Sequence, residues 1–220
     1  MKILALELSS ARGSIAWLGQ DQFFREWPND RKNSGTFFEN LAAVQKQFGG
    51  PETIIVGLGP GSYAGVRIAI SAAIGISFAG GTGSVPSDEK IGSVGRHRGR
   101  PSITLIGFPS ICAIECEAME YCVIGDARRQ SFFFAHVHAN DLVEGPNLFT
   151  EGELQTKIDR LEENMLIFAS EKLPQFERAI VRYPSAKILA RLAQDSNRSF
   201  SLPPLEPIYL REPHITIPKK

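Results

Sequence analysis

A short apolar strand that ends in glycines and leads straight into an apolar helix constrains this chain more than any other feature. Residues 53–58 read Thr-Ile-Ile-Val-Gly-Leu, residues 59–65 read Gly-Pro-Gly-Ser-Tyr-Ala-Gly, and an Ala- and Ile-rich segment follows to residue 79. The β-branched run predicts a strand, and the segment after the glycines predicts a helix. This order is typical of an α/β fold, and it leaves backbone N–H groups free at the start of the helix.

Two interpretations of the glycine turn stay open. Gly59 and Gly61 are turn residues that supply positive φ angles, or, with Ser62, they present N–H groups to a phosphate. The segment is not a Walker A loop, because Val66 and Arg67 stand where that motif needs Lys followed by Ser or Thr.

The N-terminal half contains the pattern of one complete layered unit. Three β-type runs at residues 2–8, 14–18 and 22–27 are separated by turn residues and predict an antiparallel meander. The helix that follows carries one apolar stripe at i, i+4, i+7 and i+11, formed by Phe37, Leu41, Val44 and Phe48. Three strands, a helix, a strand and a helix are sufficient for a sheet with helices on one face.

The helix predicted over residues 66–79 has no polar face apart from Arg67. A helix that is apolar nearly all round is buried nearly all round. It lies between two lobes of this chain, or it packs with the preceding helix against another subunit; the pattern favours neither. In the second case the interface residues are Phe37, Leu41, Val44, Val66, Arg67, Ala69, Ile70, Ala73 and Ile74.

The second half repeats the layered pattern. The sequence predicts a first lobe at 1–103, which ends in a Gly- and Arg-rich loop at 80–103, and a second lobe at 104–220 with an extended proline-rich tail. An acidic residue ends the first strand of each lobe, Glu7 in one and Asp126 in the other. The elements predicted in the second lobe are strands at 104–108, 121–127, 129–138 and 165–169 and helices at 109–119 and 184–193.

Composition excludes several classes of function. Lys plus Arg and Asp plus Glu are both 24, so net charge does not attract the chain to nucleic acid or to membranes. The local exception is the set Arg96, Arg98 and Arg100, which allows either a solvated loop or an arm that touches phosphate. Three cysteines without metal-ligand spacing, two of them on the predicted 109–119 helix, indicate reduced thiols and a cytoplasmic protein. Neither a signal peptide nor a transmembrane segment is predicted.

Four segments that occur in order resemble one known family. They are Met-Lys-Ile-Leu-Ala-Leu-Glu-Leu-Ser-Ser at the start, Gly-Pro-Gly-Ser-Tyr-Ala-Gly-Val-Arg-Ile at 59–68, Gly-Asp-Ala-Arg-Arg at 125–129 and Pro-Ile-Tyr-Leu-Arg at 207–211. Together they are similar to the TsaB family, the accessory subunits of the bacterial machinery that makes threonylcarbamoyladenosine on tRNA. Older names call the family glycoprotease-like. The resemblance covers nearly the whole chain except the 80–103 loop.

The resemblance implies an α/β, actin-like ASKHA fold of two RNase H-like lobes, each a mixed sheet with helices. It implies no catalysis by the chain alone. Members bind a catalytic TsaD subunit through the helix after the glycine loop and its neighbouring helix. With a TsaE ATPase they support threonylcarbamoyl transfer to adenosine 37 of tRNA, which the chain meets only through the complex. Whether the chain forms a homodimer or stays monomeric when the partner is absent stays open; the apolar pair of helices makes a homodimer possible.

Nucleotide contact is the open question at the predicted cleft. In ASKHA ATPases a carboxylate at the Glu7 position orients hydrated Mg²⁺, and hydroxyls such as that of Ser9 touch phosphates. The family usually has Asp where this chain has Glu7, which argues against ATP hydrolysis by the chain alone. The candidate contacts are Glu7, Ser9, Gly59, Gly61, Ser62 and Asp126. ATP or ADP with Mg at a subunit interface stays open, and no resident metal is expected.

Two rival functions remain. A stand-alone ASKHA ATPase or small-molecule kinase would use Glu7, the glycine loop and Asp126. A direct tRNA-binding module would use the arginines of the 80–103 loop.

Overall fold

The computed structural model describes residues 1–29, 34–80 and 103–211. The strands are β1 (Ile3–Glu7), β2 (Arg12–Leu18), β3 (Gln22–Pro28), β4 (Thr53–Gly57), β5 (Thr104–Phe108), β6 (Glu120–Asp126), β7 (Ser131–His138), β8 (Asp141–Thr150), β9 (Ile167–Ala169) and β10 (Ala179–Val181). The helices are α1 (Gly35–Phe48), α2 (Tyr63–Gly80), α3 (Glu151–Asp159) and α4 (Ala186–Leu192), with a 3₁₀ turn at Ser110–Cys112. The basic residues Arg96, Arg98 and Arg100 lie outside the described residues.

The first sheet has the strand order β3-β2-β1-β4-β5. The predicted meander is confirmed, because β1 pairs antiparallel with β2 and β2 antiparallel with β3. Strand β4 pairs parallel with β1, and β5 pairs parallel with β4. The glycine turn therefore lies at the carboxyl end of a central parallel strand, the edge of an α/β sheet at which ligands usually bind.

The second sheet repeats the topology of the first. Its order is β10-β9-β6-β7-β8, so its strands, counted in chain order, occupy the same places as those of the first sheet. Strand β6 pairs antiparallel with β7 and parallel with β9, as β1 does with β2 and β4. The predicted two-lobed α/β architecture, with a mixed sheet and helices in each half, is confirmed.

One apolar core joins the two sheets. It contains Ile3 and Ala5 of β1, Tyr121 and Val123 of β6, and the buried side of α4 around Leu189. Helix α4 comes late in the chain, yet it packs on β1, β2 and β4 of the first sheet. The N–H of Ala186, the first residue of α4, donates to the buried Ser14 hydroxyl at 2.9 Å. Helices α1 and α2 cover the side of the first sheet that is turned away from the shared core. Helix α3 covers the corresponding side of the second sheet.

The predicted boundary at residue 104 needs correction. Strand β5 is the edge strand of the first sheet, not the first strand of the second. Helix α4 also packs on the first sheet, although it lies within the range predicted for the second lobe. Local patterns cannot show these assignments, because they depend on pairing between distant segments.

The predicted helix at 109–119 is wrong. Only the 3₁₀ turn at Ser110–Cys112 forms there. The residues after it have no regular secondary structure apart from an isolated β-bridge between Ile114 and Pro184. Cys112 and Cys122 are buried and Cys116 is partly buried, all as free thiols. Burial raises the pKa of Cys112 to about 12, so this thiol is chemically inert at neutral pH.

Strands β8 and β10 and helix α3 are additional elements that the sequence analysis did not predict. Helix α3 begins with a capping box, in which the Thr150 hydroxyl accepts from the Glu153 N–H and the Glu153 carboxylate accepts from the Thr150 N–H. Among the described residues, no helix is both long and apolar enough to cross a membrane.

Candidate functional site

The glycine loop after β4 packs tightly on the turn that joins β1 and β2. A Cβ on Gly61 would overlap the Ser9 carbonyl oxygen, and a Cβ on Gly65 would overlap the Leu8 carbonyl oxygen. The Ser62 N–H donates to the Ser9 carbonyl at 2.6 Å. Close approach of two backbones therefore explains these glycines without any ligand.

Three of the six N–H groups in the glycine loop at 59–65 donate within the chain, those of Gly59, Ser62 and Gly65. Gly59 donates to the Ser110 hydroxyl at 2.9 Å, and Gly65 donates to the Ser62 hydroxyl at 3.3 Å. The N–H groups of Gly61, and of Tyr63 and Ala64 at the start of α2, have no acceptor among the residues that the structure describes. These three residues line the cavity described next, so their N–H groups are the donors that the loop could offer to an anion.

A cavity of about 720 Å³ opens between the two lobes. Its walls are the β1–β2 turn, the glycine loop with the start of α2, the turn after β6, and the tail at 207–211. Of the six candidate nucleotide contacts, four line this cavity, namely Ser9, Gly61, Ser62 and Asp126. Gly59 and Glu7 do not, and both are buried.

Glu7 is fully buried at the end of β1. It lies on the same face of the strand as Ile3 and Ala5, which belong to the core shared by the lobes. Its Oε1 accepts from the Ser9 N–H at 2.6 Å, and its Oε2 has no hydrogen-bond partner in the described part of the chain. Burial raises the pKa of this carboxyl, and the nearby Ser9 and Ser110 hydroxyls only partly oppose the rise.

The raised pKa of Glu7 predicts a pH-dependent stability. Folded protein keeps its proton at pH values where the unfolded chain has lost it, so the free energy of unfolding falls as the pH rises above about 4.5, until the pKa of the folded state is passed. The slope reaches about 1.4 kcal/mol per pH unit. Urea unfolding at a series of pH values should show this slope in the wild type and lose it in Glu7→Gln. The groups that face the Glu7 carboxyl are Ser9, Gly57 and Ser110, which do not titrate in that range. Equal slopes in both proteins would show that Glu7 is ionised.

Asp126 shapes its own turn after β6. Its Oδ1 accepts from the Arg128 N–H at 2.6 Å and its Oδ2 pairs with the Arg128 guanidinium at 3.1 Å. Arg128, Arg129 and Gln130 all have positive φ, between 54° and 66°. Non-glycine residues adopt this conformation at a cost, so the Asp126 contacts help to hold the turn.

The two histidines that the structure describes, His136 and His138, do not line the cavity. His136 on β7 contacts Glu120 on β6, with 2.7 Å between Nε2 and Oε1. Within residues 1–29, 34–80 and 103–211, no three His, Cys, Asp or Glu side chains come together in a group that could hold a metal ion.

Most residues predicted for the partner interface belong to the core of the first lobe. Seven of the nine lie on the sides of α1 and α2 that pack against the first sheet and are buried there: Phe37, Leu41, Val44, Val66, Ala69, Ile70 and Ala73. For these seven residues the prediction is wrong. The reason is periodicity, because a stripe at i, i+4, i+7 marks the side of a helix that faces its own sheet. Arg67 and Ile74 are exposed. Helix α2 does not lie between the lobes, since α4 occupies that place.

The opposite sides of α1 and α2 are exposed to solvent and are called here the outer face; its large apolar side chains lie mainly on α2. On α2 the exposed positions Arg67, Ser71, Ile74, Gly75 and Phe78 follow one helical stripe. Phe78 is 66% exposed, Ile74 is 37% exposed and Phe38 on α1 is 48% exposed. Single exposed apolar residues are ordinary, but Ile74 and Phe78 lie one helical turn apart on the exposed stripe of α2, as apolar side chains at interaction surfaces often do.

Gly75 is an unusual part of this surface. A Cβ at Gly75 would meet nothing within 4 Å, so the packing of this chain gives no reason for a glycine there. Glycine in a helix interior costs about 1 kcal/mol relative to alanine. A small residue between Ile74 and Phe78 allows another backbone to approach α2 closely.

Arg67 lies at the edge between the outer face and the cavity. Its guanidinium donates to the Tyr63 hydroxyl at 2.7 Å and lies 5.1 Å from the centre of the Tyr63 ring. Tyr63 in turn packs on Tyr209 of the tail, with 5.5 Å between ring centres. The tail is also held by the Ile208 N–H, which donates to the Leu58 carbonyl at 2.8 Å. The tail therefore closes one side of the cavity.

The fold defines a class of protein. Two sheets with the same strand order, each with the first strand between an antiparallel and a parallel neighbour, make two RNase H-like units. Their arrangement around a cleft is the actin-like ASKHA architecture.

Two solved structures are similar to this chain in fold. A protein described as uncharacterised, with similarity to the peptidase YeaZ from Pseudomonas aeruginosa, matches with a TM-score of 0.67 at 18% identity, over 96% of this chain and 99% of that one. YeaZ from Pseudomonas aeruginosa matches with a TM-score of 0.61 at 18% identity, over 88% and 90%. At this identity the likeness is one of fold. No family model matches the sequence, and no curated protein matches it.

Proposed function

We propose that this chain is a non-catalytic accessory subunit in the synthesis of threonylcarbamoyladenosine at position 37 of tRNA. It binds and activates a TsaD-like catalytic subunit, with a TsaE-like ATPase in the same machinery, and it meets tRNA through that complex. Two facts support the proposal: the four segments that resemble the TsaB family, and a fold like that of YeaZ, which is also called TsaB.

The observation that carries the proposal is the outer face of α1 and α2. Ile74 and Phe78 of α2 expose large apolar side chains one turn apart, as Phe38 does on α1, and Gly75 leaves room beside Ile74 and Phe78 for a partner. The resemblance implies that partner binding uses these two helices. When no partner is present, the same face would pair two copies of this chain.

The cavity residues support a structural role for the chain rather than catalysis. Asp126 is engaged in its own turn, and Glu7 is buried away from the cavity. Close backbone packing accounts for Gly61 and Gly65, and a positive φ of 90° accounts for Gly59. In this proposal, any ATP or ADP with Mg that the complex uses binds at an interface between subunits.

Gly75→Ala tests the proposal with two opposite effects. In the free chain the substitution should raise the free energy of unfolding by about 1 kcal/mol, because the added methyl group meets only solvent and alanine favours the helix. In the complex the methyl group should intrude on the partner and weaken binding roughly tenfold. Urea unfolding and isothermal titration calorimetry with a TsaD-like subunit measure the two effects.

The matched control is Gly152→Ala. Gly152 lies in α3, on the other side of the molecule from the outer face, and a Cβ there also meets nothing within 4 Å. Affinity for the TsaD-like subunit should not change in this variant. If Gly75→Ala and wild type bind the TsaD-like subunit with equal affinity, the partner does not approach α2 closely at Gly75.

A further inference from the structure

The actin-like fold implies Mg²⁺ with a nucleotide in the cleft, and the residues of this chain can be tested for their fit to that pair. Magnesium in proteins takes carboxylates and waters at about 2.1 Å and keeps several of its waters. The acid at the end of the first strand would have to face the cleft to orient those waters. The cavity between the lobes is lined by Ser9 and Asp126 but not by Glu7.

Glu7 does not fit that task. Its side chain is 0% exposed, and Oε1 already accepts from the Ser9 N–H. Its Oε2 lies over Gly57 of the neighbouring strand β4, where a Cβ would overlap this oxygen. Neither oxygen is available to a hydrated ion.

The carboxyl group occupies instead the space that a side chain on β4 would fill. A Cβ on Gly57 would also come within 2.6 Å of the Ser110 hydroxyl. That hydroxyl accepts from the Gly59 N–H at 2.9 Å, and the Ser110 N–H donates to the Gly59 carbonyl at 2.8 Å. Glu7, Gly57 and Ser110 therefore lie together beneath the glycine loop and connect β1, β4 and the turn after β5.

We infer that Glu7 and Gly57 form a complementary packing pair that fixes the glycine loop, and that the cleft of this chain does not bind Mg-nucleotide through Glu7. The longer Glu side chain turns into the core because the neighbouring strand has no side chain at Gly57. The inference concerns the free chain and does not depend on any partner.

Gly57→Ala measures the pair. In the wild-type background it should lower the midpoint of thermal unfolding by roughly 5 °C or more, because the new methyl group overlaps a buried carboxyl group. In the Glu7→Ala background the same change should cost much less or raise the midpoint, since the space is then empty. If the Glu7→Ala variant does not fold, recovery of folding in the double variant Glu7→Ala, Gly57→Ala supports the packing pair equally well. If neither of these variants folds, Glu7→Asp is used as the background in place of Glu7→Ala.

Gly107→Ala on β5 is the control. A Cβ there would crowd the Leu58 side chain instead of Glu7. Its effect on the midpoint should be the same with and without Glu7→Ala. Equal costs of Gly57→Ala in the two backgrounds would overturn the packing pair.

The second half of the inference is tested by calorimetric titration of the free chain with ATP, in Mg²⁺ and in EDTA. We expect that Glu7→Gln does not abolish any magnesium-dependent binding of ATP to the free chain. The inference is contradicted by ATP binding that requires Mg²⁺ and is lost in Glu7→Gln. That result would leave the proposed docking of a catalytic subunit untouched.

Discussion

Ala73→Glu is expected to unfold the first lobe. Ala73 is 0% exposed and lies in the core between α2 and the first sheet. A carboxylate at this position would have neither water nor a partner charge, which costs about 3 to 5 kcal/mol. This is a large part of the 5 to 15 kcal/mol that typically separates folded from unfolded protein.

Ser71→Glu is the matched control on the same helix. Ser71 is exposed on the outer face, so its replacement should change the free energy of unfolding by no more than about 0.5 kcal/mol. Circular dichroism during urea unfolding separates the two variants. A stable, wild-type-like Ala73→Glu would mean that α2 shows its Ala69–Ala73 side to solvent, contrary to the structure.

The sequence predicted the local elements of the first lobe correctly because each has its own pattern. Alternation and turn residues marked β1, β2 and β3, and the glycine run marked the junction of β4 and α2. The same periodicity misled the prediction of the interface. Leu41 and Val44 are apolar because they face their own sheet, and only the residues left outside that stripe can be offered to a partner.

The features that the sequence could not predict depend on contacts between segments that are far apart in the chain. Strand β5 joins β4 across about 50 residues, and α4 enters the space between the sheets from the end of the chain. The position of Glu7 depends likewise on Gly57 in the next strand. The capping box of Thr150 and Glu153 was a readable signal for α3, since Thr followed by Glu three residues later is typical of a helix start.

Phe78→Glu should abolish binding to the TsaD-like subunit while leaving the fold intact. At 66% exposure, the Phe78 side chain contributes little to the stability of the free chain. Buried in a complex, an aromatic anchor of this kind contributes 2 kcal/mol or more, about 30-fold in affinity, and a carboxylate in its place adds a desolvation cost.

Val143→Glu provides the comparison for charge and exposure. Val143 lies on β8 of the second sheet and is 61% exposed, close to the value for Phe78, but it is not part of the outer face. If Val143→Glu also lost binding, the loss in Phe78→Glu would reflect added charge rather than a contact.

The most direct measurement is isothermal titration calorimetry of the TsaD-like subunit of the same organism into wild type, Phe78→Glu and Val143→Glu. We expect equal dissociation constants for wild type and Val143→Glu, and no detectable heat of binding for Phe78→Glu. Equal binding by Phe78→Glu and wild type would contradict the claim that the outer face of α1 and α2 is where this chain acts.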